Sequence, residues 1–141
     1  MTGSTVQILY PLFAMVLLVA CVATLLWSLR NNAIRTRQVS LKFYRDYSGD
    51  EPGYSKVVSR HYSNLFEMPV LFYLAVIVAY VTSHVTVWMI GLAWAYVLCR
   101  YVHSYVHLTN NNVIVRFLVF LASLLVLLMM WGTLLIGLLK S

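Results

Sequence analysis

The chain has 141 residues, 62% of them hydrophobic and only 10% charged, with a mean hydropathy of +0.82. That length holds one domain, residues 1–141, and that composition leaves too little polar surface to keep a soluble globule dispersed. What remains is an integral membrane protein of the all-α class.

The net charge of +6 is unevenly placed. Positions 30 to 60 carry seven basic residues (Arg30, Arg35, Arg37, Lys42, Arg45, Lys56, Arg60) against three acidic ones (Asp46, Asp50, Glu51), and positions 82–86 carry none. Positively charged connections stay cytoplasmic, so the long loop is expected inside and both termini outside. The basic excess is thin and sits where topology alone requires it, which argues against a nucleic-acid partner. Most of it reads as anchorage to anionic lipid headgroups.

Four apolar runs are long enough, or nearly so, for the ~20 residues that a crossing needs. The first span is expected over residues 8–29. It lacks a positive leading region and outruns the ~7–15-residue core of a signal peptide. The stretch ending in Cys21 resembles a lipoprotein cleavage box, but apolar residues continue beyond it. Residues 30–55 form the one sizeable extramembrane loop. Residues 47–53 carry turn chemistry, and Tyr44, Tyr47 and Tyr54 suit an interface.

A second helix is expected over residues 56–82. Within it Arg60, Asn64 and Glu67 fall at i, i+4 and i+7, one polar stripe entering the bilayer from the cytoplasmic side. Pro69 would remove one N–H and free the Leu65 carbonyl. Residues 82–86 allow only a tight outer turn. The third helix is expected over residues 85–108, with Trp88 and Trp94 toward its outer half, and the fourth over 113–139, apolar apart from Arg116. Four helices joined by one long loop and two short turns give an up-down-up-down bundle.

The chemistry concentrates around the third connection. Arg100, His103 and His107 share a helix face at i, i+3 and i+7, Asn110, Asn111 and Asn112 turn the chain, and Arg116 opens the last helix. Ionisable groups in a spanning helix are costly and point to a site. Arg60, Asn64 and Glu67 are expected to converge on the same face. Glu67 must be paired or protonated inside an apolar run, through an ion pair with Arg60 or Arg100 that fixes packing, through a functional role, or both. Two guanidiniums beside a capped helix start would form a positive pocket for a carboxylate ligand or a thiolate. His103 and His107 make only half a metal site, so no metal is expected. His61 and His84 read as interfacial, and Cys21 and Cys99 as small buried hydrophobes without a disulfide.

Arg60-x-x-x-Asn64-x-x-Glu67, then Arg100-x-x-His103, then Arg116 resembles the MAPEG family, the membrane-associated proteins in eicosanoid and glutathione metabolism. The wording HYSNLFEMPVLFY and RYVHSYVHLTNNNVIVRF is similar to its bacterial branch, and the likeness covers essentially the whole chain. The resemblance implies a homotrimer of four-helix bundles, in a bacterial inner membrane, with glutathione bound between subunits near the cytoplasmic side. It implies that Arg60, Asn64, Glu67, Arg100 and His103, with His107 beside them, hold the tripeptide as co-substrate, and that Arg116 stabilises its thiolate. The reaction would be thiolate attack on a hydrophobic electrophile or reduction of a lipid hydroperoxide. Eicosanoid-forming members have a tyrosine where this chain has His107, another where it has Phe120, and some have an arginine at Ser63. Those differences point away from prostaglandin or leukotriene chemistry. Arg30, Arg35 and Arg37 are all candidates for a first-helix arginine contact. Two other readings use the same residues: a non-catalytic structural or accessory membrane protein, and a binder of an anionic lipid or metabolite.

Overall fold

Long apolar runs become helices here because a helix satisfies its own backbone polar groups, which lipid cannot do. The computed structural model describes residues 3–46 and 51–140. Helix α1 (Gly3–Gln7) leads into α2 (Leu9–Arg35), and α3 (Leu41–Asp46) is a short piece of the following connection. Then come α4 (Gly53–Asn64), α5 (Met68–Val81), α6 (Val87–Leu108) and α7 (Val113–Leu139). Tyr47 and most of the expected 47–53 turn lie outside the described residues.

Three of these segments are long and apolar enough to cross a membrane: Thr5–Arg35, Gly53–Val81 and Val113–Leu139. The fourth apolar run, α6, falls short of that apolarity because Arg100, His103, Ser104 and His107 occupy its second half. It is instead the inner helix of the bundle, packed on α2, α4 and α7. Ten of its 22 residues are buried, against four of 27 in α7. The polar residues that a lipid-facing helix could not carry are thus placed where protein surrounds them. Around them the interior is close-packed, with Phe72 of α5 stacked on Tyr96 of α6 at 4.5 Å between ring centres.

Two expectations about boundaries change. The first span does not stop at residue 29 but continues to Arg35, so Arg30 sits on the helix. There its guanidinium bonds Glu51 Oε1 at 3.2 Å and Ser59 Oγ at 3.0 Å and lies over the Tyr44 ring, tying α2 to the start of α4. The expected second helix over 56–82 is two helices, broken at Leu65, Phe66 and Glu67. Pro69 falls in the first turn of α5, where its missing N–H costs nothing. Glu67, at φ −93° and ψ −92°, is the residue at which the chain leaves helical geometry. A proline in mid-helix would have cost ~3 kcal/mol, and ending α4 before it avoids that cost.

The turns follow local chemistry. Thr86 caps α6 by accepting from Met89 N, and Asn112 caps α7 by accepting from Ile114 N and Val115 N. Asn111 adopts φ 49° and sends its N–H back to Val106 O at 2.8 Å, closing the α6 terminus. His84 is not merely interfacial: its Nδ1–H donates to Thr82 O, and its ring lies against Gly137 of α7. A Cβ on Gly137 would meet His84 Cδ2 at 2.8 Å. Gly137→Ala is therefore expected to lower stability by about 1–2 kcal/mol through overpacking, read as a lower thermal midpoint of the detergent-solubilised protein.

Candidate functional site

Site residues come from α4, α6 and α7, at the end of the bundle where the Asn-rich turn joins α6 to α7. Asn64, His103 and Arg116 line a cleft of about 200 Å³, walled on its apolar side by Val113, Phe117 and Phe120. Arg116 is half-buried one turn into α7, so its charge adds to the positive end of a 27-residue helix. Its Nη1 donates to Asn111 Oδ1 at 2.8 Å and to His107 Nε2 at 3.2 Å.

Behind the cleft lies a buried cluster. Arg100 is 1% exposed, its Nε donates to Tyr96 Oη at 3.1 Å, and its guanidinium sits 5.3 Å from the ring centres of both Tyr96 and Phe120. Phe120 thus offers its ring face to a cation. His103 Nδ1–H donates to the Arg116 carbonyl at 3.2 Å, which leaves Nε2 of the neutral ring as an acceptor. His107 accepts from Arg116, so its neutral ring carries the proton on Nδ1.

His61 is the residue that sequence reasoning misplaced. Expected at an interface, it is fully buried, with Nε2 2.8 Å from Ser104 Oγ and its ring 4.8 Å from His107 and 5.8 Å from His103. The signal was present: Val58, three before it, is buried on the same face of α4, and Leu65, four after it and just past the helix end, is buried too. Three imidazoles converge, yet no grouping among the described residues has metal-holding geometry. His61 Nδ1, Arg100 Nη2, His103 Nε2 and His107 Nδ1 are buried and bond no group among the described residues. Buried polar atoms of this kind normally meet a ligand or water.

Arg60 and Glu67 stand apart. Both are exposed, and neither forms an ion pair among the described residues. The expected pairing of Glu67 with Arg60 or Arg100 is absent among the described residues, while Arg30 pairs with Glu51. The break at Leu65, Phe66 and Glu67 dissolves the single stripe: Asn64 reaches the cleft and Glu67 does not. Neither cationic site residue, Arg100 or Arg116, has a carboxylate within ion-pair distance among the described residues. Cys21, expected to be buried, is exposed, and Cys99 is half-buried; both are free.

A helical, apolar chain with its polar residues gathered on an inner helix defines an integral membrane protein. The model of the MAPEG family matches residues 8–136, nearly the whole chain, and the protein belongs to that family. No curated protein and no solved structure matches it.

Proposed function

We propose that the protein is a membrane-bound glutathione transferase or glutathione-dependent peroxidase acting on hydrophobic electrophiles or lipid hydroperoxides. The observation that carries this reading is the clamped Arg116 guanidinium at a cleft with an apolar wall, with no carboxylate within ion-pair distance among the described residues. Such a cation stabilises a thiolate over its thiol, about 1.4 kcal/mol for each unit by which the thiol titration moves. Asn64 and His103 would meet the polar groups of the tripeptide, with the charge of buried Arg100 behind them, and Phe117 and Phe120 the lipid-soluble partner. In the transferase reaction the thiol proton leaves to solvent, and the thiolate forms a carbon–sulfur bond as the electrophile's leaving group departs. In the peroxidase reaction the thiolate takes the distal peroxide oxygen as a sulfenic acid and releases an alcohol. A second glutathione then gives the disulfide and water.

The cleft is smaller than the ~300–1,000 Å³ usual for a pocket that encloses a drug-sized ligand, so one protomer covers only part of a tripeptide. Arg60 and Glu67, exposed and outside the cleft, are available to a site that a neighbouring copy completes. This supports a homotrimer of four-helix bundles, α6 being the fourth span, with the site shared between subunits. The basic segment from Arg30 to Arg60 supports placing that side of the molecule, and the site near it, on the cytoplasmic face of a bacterial inner membrane. The same exposed pair favours a second reading, in which Arg60 and Glu67 serve packing between copies and nothing is turned over.

Calorimetric titration of the detergent-purified protein with glutathione separates the two. Saturable binding, weakened at least several-fold in Glu67→Gln with the oligomer intact, is the expected result. No binding at millimolar glutathione, with folded wild-type protein, would rule the transferase reading out.

A further inference from the structure

His107 reads from sequence as a contact for the ligand, but its surroundings assign it otherwise. It is 3% exposed and its Nε2 is already used by Arg116. A guanidinium Nη1 carries two N–H groups, and here Asn111 Oδ1 and His107 Nε2 bond that one nitrogen at 2.8 and 3.2 Å. We infer that His107 is a positioning residue: with Asn111 it clamps Arg116 Nη1 and leaves the Nε–H and both Nη2 hydrogens to meet the ligand in the cleft.

Each half of the clamp has its own structural cause. Asn111 presents its amide oxygen because it occupies the left-handed turn at φ 49°, a conformation that asparagine tolerates better than most residues. His107 is held in place from α4 by His61, whose ring is 4.8 Å away, and shares its own helix face with His103 at 5.9 Å. The arginine's backbone is fixed as well, because its carbonyl accepts from His103 Nδ1. Three contacts from α6 and the turn thus determine where the α7 cation sits. The clamp needs a neutral His107 ring, since an imidazolium has no lone pair to accept with. The titratable and charged groups around that ring are His61 on α4, His103 on α6 and Arg116 on α7. A side chain with two flexible ends left unclamped would lose this orientation to rotamer freedom.

The role in thiolate stabilisation rests on the function proposed above; the clamp itself does not, and the two are tested separately. His107→Leu removes the acceptor, whereas His107→Gln keeps an amide oxygen near the place of Nε2. Phenylglyoxal modification of Arg116, followed by mass spectrometry, reads the clamp without any glutathione. Wild type and His107→Gln should react slowly and His107→Leu about tenfold faster, the weight of one hydrogen bond to a charged group. Equal rates in all three would overturn the clamp. With glutathione bound, His107→Leu should move the thiol titration upward by about one unit, with affinity for the thiol form, measured at a pH below the bound thiol's titration, changed less than threefold, and His107→Gln should restore it. A drop in affinity with an unmoved titration would make His107 a ligand contact and overturn the positioning role. Absent glutathione binding in wild type would end the transferase reading and leave the modification rates to decide the clamp.

Discussion

Arg116→Ala is expected to lower glutathione-dependent turnover by about a hundredfold, in line with removal of a single charge-stabilising donor, without loss of folded protein. The side chain is half-buried at the cleft, and its two protein bonds run to Asn111 and His107 rather than into the apolar interior. Its loss therefore leaves the bundle intact, apart from an unbonded His107 Nε2. The change should appear in kcat more than in KM, because the charge acts on the thiolate that reacts. It is read by steady-state assay with an electrophilic aromatic halide or a lipid hydroperoxide, beside a size-exclusion profile. Unchanged turnover in a folded variant would mean that the thiolate is stabilised elsewhere or that no thiolate forms.

Arg100→Met is expected to raise stability or leave it unchanged while weakening binding. Arg100 is 1% exposed, bonds one tyrosine hydroxyl, is flanked by two aromatic rings, and has no carboxylate among the described residues. Taking a cation out of water without a paired anion costs several kcal/mol, and replacing buried charge by an apolar side chain of similar shape often gains ~1–4 kcal/mol. Methionine keeps the length of the stem and removes the charge. The thermal midpoint should rise or stay unchanged while glutathione affinity falls about tenfold or more. That combination is the mark of a residue kept for function at the expense of stability. A variant that melts earlier and binds as before would show that Arg100 serves packing.

The last two helices were legible because their apolar runs are long and their starts are capped. The fourth was expected over 113–139 and is Val113–Leu139, opened by the Asn112 cap. The break before Pro69 was not legible. A proline in an apolar run fits a kinked interior or a first turn equally well, and only the packing of α4 and α5 decides. That choice carried Glu67 away from the stripe shared with Arg60 and Asn64. Of the expected site, His103, Asn64 and Arg116 meet in one cleft, Arg100 and His107 lie buried behind it, and Arg60 and Glu67 face outward. His61 was hidden because a histidine beside an arginine at a helix start looks interfacial. Its burial depends on α4 packing against α6, a contact between residues 43 positions apart. The Arg116 clamp is far more local, since Asn111 and His107 are only five and nine residues away.

The central claim is that this cleft binds glutathione and ionises it. The most direct test is the ultraviolet difference spectrum of the thiolate when purified protein and glutathione are mixed below the ordinary thiol titration. A saturable thiolate band in wild type, shifted to higher pH in Arg116→Ala, is the predicted result. Folded wild-type protein that produces no thiolate band at saturating glutathione would contradict it.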